Sequence, residues 1–286
     1  MDVKLPTTYD VQLQKIKSRG CIISDEKQAI KVLHYINYYR LTAYFLPFKQ
    51  GNDKYKPGTN FDTVCRIYEF DRKMRNILSP VIEEIELMLR AQLSYYHAHK
   101  HGALGYMDPK NFNKRHDHQR FLEHIQQDIH NNKNQPPIQH HIKNYDGKFP
   151  LWVIIEYSTI GELSYFYSDM LRKDKKMIAA DLFKTTDKNV SSWLMCLTYL
   201  RNYCAHYSRL YYFLFPSIPA TPEGFPYVLW KKLFDYILVL KFLCQNKKQW
   251  ENSFLINLQS LIDQYQDSIN LRHIGFPKNW LELLKS

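Results

Sequence analysis

Apolar residues recur at spacings of three and four along most of the chain, and strand-like alternation is scarce. This periodicity is typical of amphipathic helices, and it predicts an all-α fold. Two short helices are expected at residues 9–18 and 25–35, followed by the apolar stretch "INYYRLTAYFLPF", which Pro47 ends. Residues 1–50 are therefore predicted to be an N-terminal helical segment that packs on the core.

The longest helical pattern follows the polar loop "KQGNDKYKPGT". Thr59 is the predicted N-cap of this helix, with Asp62 as the acidic residue of its first turn. Apolar positions repeat as far as Leu78, where Ser79 and Pro80 interrupt them. Because proline suits the first turn of a helix, we expect a second helix, antiparallel to the first or kinked from it, to begin at Pro80.

A polar stretch rich in histidine, asparagine and lysine covers residues 102–150. Its apolar positions support at most one or two modest helices, one of them near residues 118–130. We interpret this stretch as an insertion into one large helical domain that spans residues 59–286. The apolar pattern resumes after it, and Thr159 and Glu162 predict a capping box. Further helices are expected at about 190–210, 227–243 and 254–265.

The composition of the chain is basic and rich in aromatic residues. The chain has 286 residues, a formal net charge of +11, a pI near 9.2 and 22 tyrosines. Basic side chains contact phosphates and aromatic rings stack on bases, so we expect an anionic partner. The alternative is a generally basic surface without specific binding, because net charge alone says little about function.

Five cysteines are scattered without a CxxC pair, which argues against a disulfide framework and against a zinc site. The first residues lack the pattern of a signal peptide, and no apolar run approaches the roughly 18 residues of a membrane span. We therefore expect a cytoplasmic protein without a membrane segment, a metal ion or another cofactor.

Residues 200–211, "LRNYCAHYSRLY", place four polar side chains in a stretch that otherwise has the pattern of a buried helix. At about 100° per residue, the four fall within an arc of about 140° on one helix face. Leucines, tyrosines and a cysteine fill the opposite sector. The pattern predicts a helix with one face in the core and one that presents two guanidiniums, an amide and an imidazole. The four residues are Arg201, Asn202, His206 and Arg209.

These groups match what cleavage of an RNA phosphodiester requires. An imidazole takes a proton from the 2′-OH or gives one to the leaving oxygen, and a guanidinium holds the charged phosphorane. His206 is thus the predicted general acid or base, and Arg201 the phosphate clamp. Asn202 would orient the imidazole or a phosphate oxygen, and Arg209 would bind substrate. The alternative is a helix face whose arginine and histidine pair with carboxylates of a neighbour.

The same stretch resembles the signature of Abi-like (abortive infection) proteins of the AbiD/AbiF type. Arg201, Asn202 and His206 fall on its motif positions, and Arg209 falls on the arginine that follows them. The spacing of arginine and histidine is also similar to the HEPN ribonuclease motif. Further blocks that resemble the family lie at residues 36–48, 67–93 and 150–167.

The resemblance implies a HEPN-like helical bundle, metal-independent endoribonuclease chemistry and a role in defence against phage. It also implies an RNA partner, as substrate or as a small noncoding RNA. Residue by residue, it assigns catalysis to Arg201, Asn202 and His206. A second hypothesis is a non-catalytic protein that holds a noncoding RNA and uses Arg201 and Arg209 only for phosphate contacts.

One motif per chain has a mechanistic consequence. Transesterification needs a general acid and a general base, and His206 alone cannot easily serve on both sides of the phosphate. We therefore expect a two-fold homodimer that joins two such helices, or a second internal site. The internal candidate is Arg90 with His97, seven residues apart and so on one helix face. Pairing of Arg90 with Glu86 is a sufficient structural reason for that arginine.

Two more groups are candidates for binding. His97 and His101 stand at i,i+4, a spacing that suits zinc, but no third ligand has a recognisable spacing, which favours solvated or RNA-contacting histidines. Arg40, within "NYYRLTAY", is placed to stack on bases or contact phosphate, while aromatic packing at a helix end explains the tyrosines equally well. The predicted RNA-binding residues are therefore Arg40, Arg90, His97 and Arg209.

Overall fold

The computed structural model describes residue 3 and residues 5–285, and it confirms the all-α fold. The chain is 67% helical, and the described residues form isolated β-bridges but no strands. None of the described helices is long and apolar enough to cross a membrane. The described α-helices are joined by 3₁₀ turns and loops. In chain order they are α1 (Tyr9–Ser18), α2 (Glu26–Tyr35), α3 (Tyr38–Thr42), α4 (Phe61–His101), α5 (His118–Asn131), α6 (Pro136–Asn144), α7 (Leu151–Ile154), α8 (Ile160–Asp169), α9 (Arg172–Phe183), α10 (Asp187–Ala205), α11 (Leu233–Leu243), α12 (Lys247–Gln249), α13 (Ile256–Tyr265) and α14 (Trp280–Leu284).

The N-terminal segment has the helices that its pattern predicts. The bounds of α1 and α2 agree with the prediction to within one residue. Pro47 lies inside a 3₁₀ helix, Ala43–Phe48, that follows α3. Leu41, Tyr44 and Phe45 are at most 1% exposed and belong to the same core cluster as α4. The segment therefore packs on the core, while its boundary near residue 50 stays a prediction.

The N-cap of α4 is Asn60, so the prediction that Thr59 caps this helix is wrong. The Asn60 side chain accepts a hydrogen bond from the backbone amide of Asp62 at 2.7 Å. Thr59 instead donates its hydroxyl to the carbonyl of Lys56 at 2.7 Å, within the preceding turn. Asparagine and threonine are both good N-caps, and the turn that engages Thr59 decides between them.

A single helix runs through Pro80, so the prediction that a new helix begins there is wrong. Proline lacks the amide that would bond to the carbonyl of Asn76, which weakens the helix at one point. Leu78, Val81 and Ile82 are buried on either side of that point, and their packing keeps the chain helical. The resulting helix is 41 residues long and reaches from the core to the candidate site.

The core forms where α4 and α10 pack together. α10 also packs against α8, α9 and α11, while α13 packs along α4. α11 is buried along almost its whole length, which explains why its sequence lacks a polar face. These neighbours give α10 a fixed position against α4, and the C-terminal turn of α10 carries the predicted site residues.

The polar region 102–150 contains two helices, α5 and α6, as predicted. Ile125 is the buried residue of α5 and Ile138 that of α6, so each helix contributes little to the core. Beyond this region, Thr159 and Glu162 form the predicted capping box at the start of α8. The interpretation of residues 102–150 as an insertion into a HEPN-like domain stays a prediction.

The last two predicted helices are shorter than expected. α11 begins at Leu233, and α13 begins at Ile256 after a π-helical turn, Trp250–Leu255. The described chain between residues 213 and 230 is extended or turned and contains no helix. Its four prolines account for that, because proline removes backbone donors and disfavours the helical conformation of the residue before it.

Candidate functional site

The helix that carries the site residues ends at Ala205, short of the predicted end near residue 210. Its last turn closes as a Schellman motif, in which the backbone amide of Ser208 donates to the carbonyl of Tyr203 at 2.8 Å. Tyr207 takes the left-handed conformation that the motif requires, with φ at 55°. His206 therefore lies at the helix C-cap rather than inside the helix.

Two arginines hold the backbone that follows α10. Arg40 donates to the carbonyl of Tyr207, and Arg75 donates to the carbonyl of Ser208 at 2.9 Å. A non-glycine residue in the left-handed conformation costs about 1–2 kcal/mol. The two hydrogen bonds offset this cost, because they give partners to the carbonyls of Tyr207 and Ser208 in the turn beyond the helix. Tertiary contacts thus end the helix at a position that has no glycine.

Asp71, on α4, accepts hydrogen bonds from several parts of the chain. The backbone amides of Leu210 and Tyr211 donate to it at 3.1 and 2.7 Å. The hydroxyl of Tyr44 donates at 2.7 Å, and Arg75 forms an ion pair with the same carboxylate. Burial raises the pKa of Asp71, while Arg75 and the other donors oppose that shift. This buried network fixes the path of the loop after α10.

A cleft of about 360 Å³ opens between α4 and the last turn of α10. Two arginines line it, Arg90 from α4 and Arg201 from α10. Ala205 lines it one turn beyond Arg201, and its small side chain leaves room for the backbone of a ligand. The cleft therefore offers two cations, and His206, which does not line it, follows Ala205 directly in the sequence. The other lining residues are Ser79, Ile82, Glu83, Glu86, Leu87 and Cys204.

Glu86 lies between the two arginines of the cleft. Its Oε1 accepts a hydrogen bond from Nη2 of Arg90 at 2.7 Å, and its Oε2 lies 3.8 Å from Nε of Arg201. Arg90 also donates to the carbonyl of Ser158 at 3.1 Å. The predicted pair of Glu86 and Arg90 is confirmed. The Arg201 side chain is 36% exposed, so its guanidinium remains accessible to a ligand.

Asn202 and His206 lie on the exposed side of the same turn. Oδ1 of Asn202 accepts a hydrogen bond from Nη1 of Arg201 at 3.4 Å, so in this arrangement the amide orients the guanidinium. The imidazole of His206 makes no hydrogen bond or ion pair with any residue that the structure describes. It is therefore free to exchange a proton with a bound substrate.

Arg209 lies apart from Arg201, Asn202 and His206, so the prediction that all four share one helical arc is wrong. The cause is the end of α10, which turns the chain before it reaches Arg209. Nη1 of Arg209 donates to the carbonyl of Ala43 at 3.0 Å, and burial lowers the pKa of this guanidinium. Arg209 thus ties the loop to the N-terminal segment, and its contact with RNA stays a prediction.

His97 does not join Arg90 at the cleft. The histidine is 1% exposed, and its ring packs against Phe112 and Phe166 with centroid distances of 5.6 and 5.2 Å. Burial, with a smaller contribution from His101, lowers the pKa of His97 to about 4. The structure therefore places the imidazole in the core, away from any surface that RNA could reach.

His97 and His101 are adjacent, with ring centroids 4.8 Å apart. His101 is engaged elsewhere, since its Nε2 lies 2.8 Å from Oδ2 of Asp174. Within the described part of the chain, no group of three or more histidine, cysteine, aspartate and glutamate side chains could hold a metal ion.

Sequence reasoning missed two features of the site. Asp71 and Arg75, four residues apart on the apolar face of α4, are the signal that could have revealed the buried network. The sequence pattern pairs Glu86 with Arg90 alone, although its carboxylate also approaches Arg201. That second contact depends on how α4 packs on α10, and no local pattern in the sequence contains this information.

A family model described as Abi-like protein matches residues 31–212, well over half of the chain. This span includes α4, α10 and all the residues that form the cleft and the buried network. No curated protein and no solved structure matches the chain. The match confirms the resemblance seen in the sequence, while the HEPN motif within it stays a prediction.

Proposed function

Because the chain belongs to the Abi-like protein family, we propose that it is an antiphage, abortive-infection protein that cleaves RNA without a metal ion. The observation that carries this proposal is a cleft lined by Arg201 and Arg90, with His206, whose imidazole has no partner among the described residues, directly after the lining residue Ala205. Guanidiniums bind phosphate through two parallel hydrogen bonds, and imidazole is the usual proton carrier in catalysis. An endoribonuclease needs both groups at one phosphodiester.

In the proposed reaction, the 2′-oxygen of a ribose attacks the adjacent phosphorus, and the bond from phosphorus to the 5′-oxygen breaks. His206 takes the proton of the 2′-OH or gives one to the leaving 5′-oxygen. Arg201 stabilises the charge that grows on the other phosphate oxygens, and Asn202 fixes the direction of that guanidinium. The products carry 2′,3′-cyclic phosphate and 5′-OH ends.

A homodimer supplies the second proton-transfer group in this proposal. His206 of one copy acts on one side of the phosphate, and a two-fold axis places the second His206 on the other side. The surface near the cleft supports such contact. Leu87, in the cleft wall, is 50% exposed, while Tyr95 and Trp152 line a neighbouring groove and are 57% and 51% exposed. Apolar side chains that are exposed together on one surface are typical of sites that bind a partner.

RNA is the proposed partner both as substrate and as a small noncoding RNA that the protein holds. The formal net charge of +11 supports binding to a polyanion, because each neutralised phosphate releases condensed counterions. Binding should therefore weaken steeply as the salt concentration rises. A discrete RNA species that copurifies with the protein would identify the noncoding partner.

Incubation of the purified protein with single-stranded and structured RNA in EDTA tests the proposed activity. We expect cleavage with 2′,3′-cyclic phosphate ends, and we expect His206→Ala to abolish it while RNA binding remains. His130→Ala is the matched control, because His130 is exposed on α5 and does not line the cleft. Retained cleavage in His206→Ala contradicts the assignment of the general acid or base.

Leu87→Arg tests the dimer, since it places a charge on the exposed apolar wall of the cleft. We expect this variant to sediment as a monomer, to keep its helical circular dichroism and to lose cleavage. A wild-type protein that is monomeric while it cleaves RNA contradicts the dimer. Binding of RNA without cleavage under all conditions, including addition of the copurified RNA, favours the non-catalytic RNA-holding role.

A further inference from the structure

A second cleft, of about 650 Å³, lies between the segment before α11 and the turn before α14. Its volume falls within the roughly 300–1,000 Å³ that is typical of small-molecule sites. None of the residues proposed for RNA cleavage lines it. We call it the C-terminal cleft and define it by six of its aromatic and cationic lining residues, Tyr227, Trp230, Lys232, Arg272, Lys278 and Trp280.

A buried carboxylate holds the wall that carries Trp230. Oδ2 of Asp235 accepts the backbone amides of Trp230 at 2.7 Å and of Lys232 at 3.1 Å. Asp235 is 0% exposed, so these bonds are shielded from water. Lys231, between the two amides, takes the left-handed conformation, with φ at 59°. The side chains of Trp230 and Lys232 therefore start from fixed backbone positions.

The two walls of the C-terminal cleft are bonded to each other. The hydroxyl of Tyr227 donates to the carbonyl of Gly275 at 2.7 Å, and Nζ of Lys232 donates to the carbonyl of Arg272 at 2.7 Å. Gly275 has a φ of 86°, and a Cβ there would lie 2.7 Å from Cβ of Lys232. Glycine thus permits the close approach of the walls, and the cleft has a fixed shape.

The charge that lines this cleft is positive, and no aspartate or glutamate among the described residues lines it. Arg272 and Lys278 are exposed, and neither side chain has an ion-pair or hydrogen-bond partner in the described part of the chain. Unpaired guanidinium and ammonium groups attract phosphate, the first through a planar pair of donors. The cleft is therefore suited to an anionic group at the position of these two side chains.

Trp230 adds a flat aromatic surface to these cations. Its side chain is 62% exposed, although a tryptophan is usually covered by its own protein. Trp280, by contrast, is 7% exposed and packs against Phe276 with a centroid distance of 5.5 Å. The exposed indole is thus the ring available to a ligand, and nucleobases stack on such rings whatever their sequence.

We propose that the C-terminal cleft binds a nucleoside phosphate, with the base stacked on Trp230 and the phosphate held by Arg272 and Lys278. A nucleoside phosphate contains a planar base and an anionic phosphate. The cleft offers a matching group for each, an exposed indole for the base and two unpaired cations for the phosphate. Two sources share this chemistry, a free nucleotide and a nucleotide within an RNA strand. The site is separate from the cleft of Arg201 and does not depend on RNA cleavage.

Equilibrium dialysis of the His206→Ala protein with adenosine 5′-monophosphate tests the proposal without RNA turnover. Adenosine and ribose 5-phosphate serve as half-ligands. Because the base and the phosphate contact different side chains, we expect each half to bind at least about tenfold more weakly than the whole nucleotide. We expect the same loss for Trp230→Ala and for the double variant Arg272→Ala/Lys278→Ala.

Two variants outside the cleft serve as matched controls. Tyr165→Ala removes an aromatic ring that is 71% exposed on α8, and Lys248→Ala removes an exposed cation on α12. Both should bind the nucleotide as the parent protein does. The substituted side chains of the C-terminal cleft are all exposed, so the variants should keep the fold, which circular dichroism and thermal unfolding verify.

The two sources of ligand give different results. Binding of the mononucleotide, lost in the cleft variants, supports a site for a free nucleotide. Binding of a short single-stranded RNA but not of the mononucleotide, weakened tenfold by the cleft variants alone, supports a site for a nucleotide within a strand. The proposal is overturned if neither ligand binds, or if the cleft variants bind it as tightly as the controls do.

Discussion

The carboxylate of Asp71 and the backbone amide of Tyr211 lie 2.7 Å apart, although 140 positions separate the two residues. This bond joins the first third of α4 to the loop that follows His206. Arg75, one turn farther along α4, holds the carbonyl of Ser208 in the same loop. One helix therefore positions both the wall of the cleft proposed to bind phosphate and the backbone beside the proposed general acid or base.

Tyr211 also connects this loop to the C-terminal cleft. Its hydroxyl accepts the backbone amide of Asn270 at 2.9 Å and lies 2.9 Å from Nδ1 of His273. Asn270 lines the C-terminal cleft. Tyr211 thus links that cleft to Asp71, through its hydroxyl at one end and its backbone amide at the other.

Asp71→Ala should lower the free energy of unfolding by about 3–5 kcal/mol, because it leaves the buried guanidinium of Arg75 without its carboxylate. Urea titration measures the loss. Glu69→Ala is the matched control on the same helix, since Glu69 pairs with Arg72 at 2.9 Å but both side chains are more than 40% exposed. We expect that control to lose less than about 1 kcal/mol. Equal losses in the two variants would contradict a special role for the buried network.

Helical periodicity and caps are enough to predict the all-α fold and the approximate positions of α1, α2, α5, α8, α10, α11 and α13, because these patterns are local. They fail where distant contacts decide the outcome. Pro80 should break a helix on local grounds, yet buried neighbours on both sides keep α4 continuous. The end of α10 depends on contacts with Arg40 and Arg75. Position 207 is a tyrosine and not a glycine, so the sequence lacks the usual sign of a helix end there.

In the candidate site, too, local motifs can be predicted from the sequence and contacts between distant residues cannot. Arg201, Asn202 and His206 were recognised because they form a compact motif within one helical turn and a half. The contact of Glu86 with Arg201 could not be predicted, because it joins α4 to α10. The packing angle and register of these two helices cannot be derived from the sequence pattern. Residues of a local motif can thus be predicted from a single sequence. The residues that position them can be identified only from the folded structure.

Glu86→Gln should separate binding from catalysis at the cleft. Removal of the negative charge should tighten RNA binding about two- to fivefold at low salt, because Glu86 then no longer competes with phosphate for Arg90 and Arg201. Loss of the carboxylate that holds Arg201 should slow cleavage roughly tenfold or more, since a misplaced guanidinium stabilises the transition state less well. Filter binding and single-turnover cleavage measure the two effects.

Glu83→Gln is the control for that experiment. Glu83 lines the same cleft but forms no ion pair or hydrogen bond with any described residue through its side chain. The Glu83→Gln variant should also bind RNA more tightly, but its single-turnover rate of cleavage should be unchanged. A rate loss of similar size in both variants would show that the charge of the cleft, not the position of Arg201, limits cleavage.

His97→Leu should reduce the sensitivity of the fold to acid. The folded pKa of His97 is about 4, below its ordinary value of 6.5, so between these pH values the unfolded chain binds a proton that the folded chain does not. The free energy of unfolding therefore falls as the pH drops from 6.5 to 4, by about 3 kcal/mol from this residue. Leucine removes that loss, and urea titrations at pH 6.5, 5 and 4 measure it.

The control for His97→Leu is the same substitution at His130, which is exposed on α5. Its pH dependence between 6.5 and 4 should match that of the unsubstituted protein. Identical slopes for the His97 variant and the control would contradict a neutral, buried imidazole at position 97.

Tyr207→Gly should stabilise the protein by up to about 1 kcal/mol, because glycine adopts the left-handed conformation that costs tyrosine energy. The side chain is 70% exposed, so its removal gives up little packing. The same substitution at Tyr165, 71% exposed within α8, should instead destabilise the protein by about 1 kcal/mol, since glycine disfavours a helix interior. Urea titrations of the two variants measure the changes in the free energy of unfolding. Changes of opposite sign would show that α10 ends before Tyr207, whereas equal losses would mean that α10 continues through residue 207.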